Sequence, residues 1–193
     1  MTDGRTQRVV LYSDFNCPFC YAMHEQLWEL GLADRVEWRG VQHAPHLPVP
    51  MANWTGALAA ELRHEVAMVG RLAPVLPIAV PSGKPNTRAA ILTAASLLSR
   101  DPRQGEALIR ALYVAFWRDG VDLSDPVLLR NFSGVTEEDV LDIPARVVQT
   151  VEEWDDEWRQ TGQSGVPLLV SPEGEQLVGF VQASEVLRFI QQA

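Results

Sequence analysis

The hydrophobic pattern of the first 41 residues predicts a strand, a helix and a second strand. Residues 8–12 form a short apolar run rich in β-branched side chains, which is typical of a buried strand. From Tyr21 onward the apolar side chains recur at helical spacing, and Gly31 is a residue at which a helix commonly ends. Residues 36–41, with the sequence Val-Glu-Trp-Arg-Gly-Val, are predicted to form a second strand. A strand–helix–strand unit of this kind normally makes a parallel pair with a right-handed crossover.

The middle of the chain has almost no strand pattern. Three prolines between residues 45 and 50 exclude a regular helix or a central strand there. Further on, Asp101 followed by a proline is typical of a helix start, and Thr136 with Asp139 resembles a capping box in which Asp replaces the usual Glu or Gln. The pattern predicts helices over residues 87–98, 101–118, 124–132 and 146–160.

The last third of the chain returns to strands. Residues 168–170 and 176–181 flank a Ser-Pro-Glu-Gly turn and predict an antiparallel hairpin, which a helix over residues 183–192 follows. The order of elements is therefore βαβ, a helical block, then ββα. This order predicts an α/β, thioredoxin-like fold with a helical domain inserted between its two halves. We expect the N-terminal half over residues 1–44, the inserted helical domain over residues 45–150, and the C-terminal half over residues 151–193.

Composition and charge narrow the range of partners. The 193-residue chain carries a formal net charge of −9 and has 47% hydrophobic residues, as expected for a protein that buries a core. Because phosphate binding needs clustered Lys and Arg, the acidic balance argues against nucleic acid and anionic membranes. No apolar run approaches the roughly 18 residues of a membrane span, and the N-terminus has no secretory-signal pattern. These features predict a cytoplasmic protein.

The sequence has two cysteines, Cys17 and Cys20, in a Cys-Pro-Phe-Cys motif at the junction of the first strand and the first helix. The first turn of a helix offers unpaired N–H groups and a partial positive charge, which favour a thiolate at Cys17. Cys20 lies one helical turn further on, close enough to attack a mixed disulfide formed on Cys17. The motif therefore predicts thiol–disulfide exchange, with Cys17 as the nucleophile and Cys20 as the resolving thiol.

Two other roles are open to the cysteine pair. The two residues could be ordinary buried cysteines, although a pair at a strand–helix junction in a reducing compartment is more typical of catalysis. They could also bind zinc together with His43 and His46. The spacing of those histidines is one residue shorter than usual, however, and Pro45 stiffens the loop between them. We therefore predict no metal site.

Asp14, His43 and His46 are candidates for acting on the cysteines. Asp14 precedes Cys17 by three residues and could accept the proton of Cys20, or equally cap the turn. His43 and His46 follow the second strand, and parallel strands deliver their carboxyl ends to one edge of a sheet. A histidine at that edge would favour the Cys17 thiolate, although exposed loop histidines are the commoner outcome. Asp14 and His46 are our candidates for proton transfer.

The Ser-Gly-Val-Pro sequence that ends at Pro167 precedes the hairpin. A proline that opens a strand beside a glycine predicts a tight turn with a cis Val166–Pro167 bond, although a proline can also simply begin a strand. On the predicted topology this loop lies beside Cys17, where the backbone of Val166 would pair with an extended substrate. We expect Val166 and Pro167 to bind substrate, together with Pro18 and Phe19 between the cysteines.

The sequence resembles the DsbA-like thioredoxin family. The similarity is carried by residues 13–21 with the Cys-Pro-Phe-Cys motif, by the Val166-Pro167 loop and by the helical insertion, and it covers nearly the whole chain. Residues 84–89 and 116–124 are similar to stretches in the helical domain of the cytosolic FrnE-type branch. The resemblance implies a thioredoxin fold with a helical insertion. It also implies thiol–disulfide oxidoreductase activity, of the protein disulfide oxidoreductase or isomerase type, at the two cysteines.

The sequence departs from these relatives at Phe19. The FrnE-type branch often has Trp there, and periplasmic DsbA enzymes commonly have a His that stabilises the thiolate. An uncharged Phe19 implies a milder oxidant, acting as an isomerase or a reductase. The 2-hydroxychromene-2-carboxylate isomerases and kappa-class glutathione transferases also look similar, but the isomerases carry Ser at the position of Cys17.

The predicted function is a redox enzyme that acts on protein or small-molecule thiols and disulfides. A glutathione-dependent isomerase or transferase, and a metal-binding or chaperone-like module, are the alternatives. We expect no tightly bound cofactor, with glutathione as a candidate redox partner. The sequence sets neither the direction of electron flow nor the oligomeric state.

Overall fold

The structure of the protein is a computed structural model that describes residues 8–193. Residues 1–7 lie outside the described residues. The prediction that the N-terminus has no secretory signal rests largely on these residues, and they also begin the N-terminal half predicted over residues 1–44. Among the described residues, no helix combines the length and the apolar character that crossing a membrane requires.

Four strands form one sheet: β1 (Val9–Ser13), β2 (Val36–Gly40), β3 (Leu168–Val170) and β4 (Gln176–Val178). Their order across the sheet is β2-β1-β3-β4, with β1 parallel to β2 and antiparallel to β3, and with β3 antiparallel to β4. The predicted parallel pair and the predicted hairpin are both confirmed. Because β1 and β2 are parallel, their carboxyl ends meet at one edge of the sheet, and the chain segments that follow them lie side by side.

Residues 8–193 also form eight α-helices and one short 3₁₀ helix, Ala33–Arg35. Most of the helices lie between β2 and β3 in sequence, as the predicted helical block requires. The helices are α1 (Pro18–Glu29), α2 (Gly56–Leu72), α3 (Arg88–Arg100), α4 (Pro102–Asp119), α5 (Pro126–Leu129), α6 (Glu138–Leu141), α7 (Ala145–Gln160) and α8 (Ala183–Gln192). The boundary predicted at residue 150 falls inside α7, and the division into three segments stays a prediction.

Local side-chain chemistry explains where several helices begin and end. The carboxylate of Asp101 accepts the backbone N–H groups of the first turn of α4, as predicted. The hydroxyl of Thr136 accepts the N–H of Asp139 at 3.3 Å, and the Asp139 carboxylate accepts the N–H of Thr136 at 2.8 Å. This reciprocal pair confirms the capping box at the start of α6. Gly31, just after α1, has a φ of +67°, which a glycine adopts without strain.

Two predicted elements are shorter than the sequence pattern indicates. The helix predicted over residues 124–132 is reduced to the single turn of α5, in which Leu129 is the one buried side chain. One apolar anchor is too little to hold a longer helix against the core. The second strand of the hairpin ends at Val178 rather than at residue 181, because Gly179 adopts a φ of +81° and donates its N–H to the carbonyl of Pro167 at 2.8 Å.

The main hydrophobic core lies between the sheet and the helical block. It joins side chains of β1 such as Leu11 to α3 and α4, where Ile91 and Phe116 are fully buried, and extends to Ile190 of α8. A smaller cluster on the other face of the sheet contains Tyr12, Val41, Trp158 and Leu168. The helical block is therefore packed onto the sheet through a shared core, and it covers the edge from which the cysteines project.

Candidate active site

The two cysteines lie where β1 passes into α1. Cys17 is the N-cap residue of α1, with an extended backbone (φ −102°, ψ 118°), and Pro18 occupies the first turn, where a missing N–H leaves no bond unmade. The carbonyl of Cys17 accepts the N–H of Cys20 at 3.1 Å, which closes the first helical turn between them. Both cysteines are free thiols. The local chain geometry therefore brings the two sulfur atoms to the same end of α1.

The two thiols differ in accessibility. Cys17 is 6% exposed, whereas Cys20 is fully buried. The Cys17 thiol donates a hydrogen bond to the carbonyl of Val166 at 3.4 Å, and the backbone N–H of Asp14 donates to Cys20 Sγ at 3.5 Å. An incoming molecule therefore meets Cys17 first, with Cys20 behind it.

The two thiols also differ in acidity. Burial acts to raise the pKa of Cys17, but hydrogen bonding from Cys20 and the positive charges of His43 and Lys84 outweigh it, so the pKa of Cys17 lies below the ordinary thiol value. Burial and the neighbouring Cys17 raise the pKa of Cys20 well above the ordinary value, against a smaller lowering by hydrogen bonds. Cys17 is therefore the thiol that ionises first, while Cys20 retains its proton.

Asp14 is the buried centre of a hydrogen-bond network. Its Oδ2 accepts the backbone N–H of His43 at 3.1 Å and lies 2.8 Å from the ring Nδ1 of the same residue. Its Oδ1 accepts the hydroxyl of Thr87 at 2.6 Å and the N–H of Asn16 at 3.5 Å. The carboxylate thus caps the turn and binds His43, while only the backbone N–H of Asp14 reaches Cys20. Proton transfer from Cys20 to Asp14 stays a prediction.

His43 is the histidine that the fold brings to the cysteine pair. Burial acts to lower its pKa, but the hydrogen bond and charge of Asp14 and the charge of Cys17 outweigh it, so the pKa of His43 is raised. His46, our candidate for proton transfer, is exposed, and no hydrogen bond or ion pair within residues 8–193 joins it to the cysteines. In the same part of the chain, no three His, Cys, Asp or Glu side chains are grouped closely enough to hold a metal ion.

A segment of the helical block, residues 84–87, reaches over the carboxyl end of β1. The side-chain amide of Asn16 donates to the carbonyl of Pro85 at 3.0 Å. Lys84 is buried, with its Nζ 2.6 Å from the carboxylate of Glu65, and its charge is one of those that lower the pKa of Cys17. The segment therefore supplies a cation to the cysteine pair and fixes the turn that precedes it.

Asn86 in this segment holds the loop that follows β2. Its side-chain NH₂ donates to the carbonyls of Pro45 and Leu47, at 3.2 and 2.9 Å. Its Oδ1 accepts the side-chain amide of Gln42 at 2.9 Å. The proline-punctuated loop that carries His43 is therefore positioned by side-chain bonds rather than by regular structure.

Lys84, Thr87 and Asn86 were not recognised as site residues from the sequence. They lie about 70 residues from the cysteine motif along the chain, and no local pattern connects them to it. The one sequence signal was the resemblance of residues 84–89 to a stretch of the FrnE-type helical domain, which carried no role for individual residues.

The residues predicted to bind substrate surround Cys17. The Val166–Pro167 peptide bond is cis, and the hydrogen bond from the Cys17 thiol to the Val166 carbonyl places this loop beside the Cys17 sulfur. Pro167 is buried and Val166 is partly exposed. Between the cysteines, Pro18 is buried, whereas Phe19 is partly exposed and packs against the main core. Phe19 and Val166 thus expose part of their surface to solvent beside Cys17.

Comparison with known proteins identifies a family. The profile described as the DSBA-like thioredoxin domain matches residues 8–191, which is almost the whole chain. A search of the curated proteins finds no significant match.

Several solved structures share the fold. A Nitrosomonas europaea protein assigned as a disulfide isomerase superposes with a TM-score of 0.72 at 16% identity, covering 96% of this chain and 97% of its own. A 2-hydroxychromene-2-carboxylate isomerase gives 0.69 at 17% identity, covering 96% and 94%. The cytosolic disulfide reductase DsbM of Pseudomonas aeruginosa gives 0.68 at 14% identity, covering 96% and 98%, and has also been solved with GSH. At these identities the likeness shows a common fold, and the predicted α/β thioredoxin-like class is confirmed.

Proposed function

Because the chain belongs to the DSBA-like thioredoxin domain family, we propose that it is a thiol–disulfide oxidoreductase in which Cys17 attacks and Cys20 resolves. The proposal rests on the difference in exposure and in acidity between the two thiols. Cys17 is the more exposed thiol, at 6%, and has the lowered pKa, whereas Cys20 is fully buried and has the raised pKa. A nucleophile must ionise near neutral pH, and a resolving thiol must wait until a mixed disulfide has formed beside it.

In the reducing direction, the Cys17 thiolate attacks one sulfur of a substrate disulfide. The substrate S–S bond breaks, a mixed disulfide forms on Cys17, and the first substrate sulfur leaves as a thiolate. Cys20 then gives its proton to the first substrate thiolate, which has just left, and attacks Cys17 Sγ. The second substrate sulfur is released, and the Cys17–Cys20 disulfide forms. Two electrons pass from the pair to the substrate, and the oxidising direction is the reverse of these steps.

The surrounding side chains stabilise the Cys17 thiolate both as attacking group and as leaving group. The imidazolium of His43 and the ammonium of Lys84 supply positive charge, and Asp14 orients His43 through its 2.8 Å contact with Nδ1. Asp14 is thus a positioning residue in this proposal. Phe19 adds no charge of its own between the cysteines, so the thiolate is stabilised by His43 and Lys84 without a further cation in the motif. We therefore propose a milder oxidant than an enzyme that has a charged residue between its cysteines.

We propose that substrate binds beside Phe19 and Val166, whose partly exposed surfaces adjoin Cys17. We further propose that a small thiol such as glutathione exchanges electrons with the pair and that the protein works in the cytoplasm. The likeness to a cytosolic disulfide reductase that has been solved with GSH supports this assignment.

A reduction potential and a trapping experiment test the proposal. Equilibration with glutathione buffers is expected to give a two-electron couple between about −120 and −270 mV, the range of known catalysts. The Cys20→Ser variant, incubated with insulin, should accumulate a mixed disulfide on Cys17 that mass spectrometry detects, and should lose turnover. Cys17→Ser is the matched control and should trap nothing.

Two results would overturn the proposal. One is the absence of a Cys17–Cys20 disulfide in every glutathione buffer. The other is full turnover by Cys20→Ser, which, together with glutathione-dependent isomerisation or conjugation, would assign the chain to the alternative class in which a single residue activates glutathione.

A further inference from the structure

A cavity that the cysteine site does not use lies between the sheet and the helical block. Its volume is about 320 Å³, within the range of about 300–1,000 Å³ that small-molecule sites occupy. Its walls come mainly from β1, β2, α1, α3, α4 and α7. Asp14, His43 and Lys84, the groups that act on the cysteines, do not line it.

The lining residues include the amino ends of the parallel strands, whereas the cysteines follow the carboxyl end of β1. Arg8, just before β1, and Val36, the first residue of β2, line the cavity, and so does Trp28 near the end of α1. Along α1, the lining residues His24 and Trp28 are seven and eleven residues beyond Cys17. At a rise of 1.5 Å per residue, they lie about 10 and 16 Å from Cys17 along the helix axis. A ligand in this cavity is therefore separated from the Cys17 sulfur by about two turns of α1, while the buried Cys20 lies one turn from His24.

The walls are mainly apolar and rich in aromatic rings. Trp28, Trp38 and Trp154 line the cavity with aliphatic side chains such as Leu11 and Ile109. Trp38 and Trp154 pack edge to face, with ring centroids 6.0 Å apart, which leaves flat ring surfaces in fixed positions. Walls of this composition favour a ligand with a largely apolar, flat surface.

His24 supplies a polar group to these walls. It lines the cavity, and its Nδ1 is buried with no hydrogen-bond partner in the part of the chain that the structure describes. Burial, with a smaller effect of Arg110, lowers the pKa of His24 to about 4 against the raising effect of Glu25, so the ring is neutral at physiological pH. A neutral imidazole has one donor and one acceptor to offer, and an unmet buried polar atom is costly to the fold.

Charged side chains at the cavity favour a neutral ligand over an anionic one. Glu37 and Glu106 line it, with Arg8 as the one cation among its lining residues. Glu37 is paired with Arg39 at 2.8 Å, which leaves Glu106 and Arg8 as one negative and one positive group at the walls. The cavity thus has no excess positive charge to offset the hydration that a carboxylate ligand would lose against tryptophan rings.

We infer that this cavity is a binding site for a neutral, fused-ring aromatic molecule that carries one hydrogen-bonding group, with the rings against Trp38 and Trp154 and the polar group on His24. The site is separate from the cysteine pair, so it does not depend on the proposed redox function. It is a further ligand site on the same fold.

The test titrates the 193-residue chain with 2-naphthol as the probe. Saturable 1:1 binding is expected in calorimetric titration, and 2-naphthoate, with the same rings and a negative charge, should bind at least tenfold more weakly. Thr150→Trp, which fills the cavity from α7, should reduce affinity at least tenfold. Its matched control is Gln149→Trp, the adjacent exposed residue outside the cavity, which should bind as the wild type does.

Two further variants test the hydrogen bond and the independence from the cysteines. His24→Phe keeps a ring but removes the polar group, and should weaken 2-naphthol about two- to tenfold, as expected for one hydrogen bond. Cys17→Ser should bind 2-naphthol as tightly as the wild type, even if the chain turns out to have no redox activity.

Several results would overturn the inference. They are no saturable binding up to the solubility of 2-naphthol, equal affinity of Thr150→Trp and Gln149→Trp, equal or tighter binding of 2-naphthoate, or loss of binding in Cys17→Ser. Circular dichroism checks that each variant is folded. Ser99→Trp, an exposed lining position on α3, replaces Thr150→Trp if that variant does not fold, with the same loss of affinity expected.

Discussion

At the scale of single residues, the charge beside Cys17 depends on a chain of contacts that starts at Asp14. The buried carboxylate binds His43 through both the ring and the backbone N–H. The imidazolium in turn lowers the pKa of Cys17. Because the histidine is held at two points, its charge stays near the sulfur rather than moving out into water, where it would be screened.

Replacing this histidine should make Cys17 less acidic. In His43→Ala we expect the pKa of Cys17 to rise, because the imidazolium that lowers it is removed. The potential of the pair should become more negative, by about 30 mV for each tenfold loss of thiolate stabilisation, because the reduced form is then less stable. The rate of iodoacetamide alkylation against pH reports the pKa, since Cys20 is buried and does not compete. His46→Ala, the exposed neighbour, should leave both values unchanged, and an equal shift in the two variants would contradict this role.

The same substitution should alter how stability depends on pH. The folded-state pKa of His43 is raised, so its protonated ring stabilises the fold fully below the ordinary histidine pKa of about 6.5. That contribution is lost as the pH rises through the raised pKa. The difference in unfolding free energy between wild type and His43→Ala should therefore shrink with rising pH in urea titrations, and a difference that stays constant or grows with pH would contradict this role.

At the scale of elements, the start of α3 supports the turn that carries Cys17. Thr87, the N-cap residue of α3, donates its hydroxyl to Asp14 across the junction between helix and sheet. Asn16 is tied to the same segment through the carbonyl of Pro85. The turn before the cysteines is thus fixed by the helical block as well as by β1.

Thr87→Val should therefore destabilise the protein and slow the reaction of Cys17. Loss of a donor from the buried Asp14 carboxylate is expected to cost about 1–3 kcal/mol of unfolding free energy, measured by urea denaturation. Alkylation of Cys17 should be slower as well, because His43 is held less firmly. Thr93→Val is the matched control, since that buried hydroxyl binds only the Ala89 carbonyl of its own helix. A similar loss of reactivity in the control would show that the effect is not specific to Asp14.

The sequence predicted those elements whose signals are local. The Asp101 cap, the capping box at Thr136 and the apolar periodicity of α3, α4 and α7 each lie within a few residues of the structure that they specify. The cysteine motif was likewise recognisable, because its chemistry and its place on a strand–helix junction are written in adjacent residues. The fold class and the position of the cysteine pair could therefore be predicted from the sequence.

Contacts between distant parts of the chain could not be predicted in the same way. Spacing alone does not distinguish His43 from His46, since both follow β2, and only Asp14 on the neighbouring strand end selects one of them. The helix α2 was not assigned individually. The conformation of the loop after β2 is set by Asn86, about 40 residues away, and no periodicity records such a bond.

At the scale of the whole molecule, the helical block and the sheet share one core. The buried side chains of β1, α1, α3, α4 and α8 belong to a single contiguous cluster. A buried hydrogen bond also crosses the junction, from the Trp117 indole N–H to the carbonyl of Phe15 at 2.9 Å. The insertion is therefore packed into the fold rather than attached to it through a linker.

We expect the described fold to unfold in one cooperative transition. A shared core cannot lose the helices without exposing the sheet, so both parts should be lost together. Urea titrations of the reduced protein, followed by far-ultraviolet circular dichroism and by tryptophan fluorescence, should give coincident curves. Two separated transitions would instead indicate a helical block that is stable, or lost, on its own.

The bonds from Asn86 to the carbonyls of Pro45 and Leu47 have a consequence for how this protein can diversify. A main-chain carbonyl is the same atom whatever side chain it carries, so residues 44, 46 and 47 can be exchanged without loosening the loop that holds His43. This loop begins near Cys17, yet the contacts that hold it do not depend on which side chains stand at those positions. Random mutation or laboratory selection can therefore change what approaches Cys17 while the reactive pair keeps its acidity.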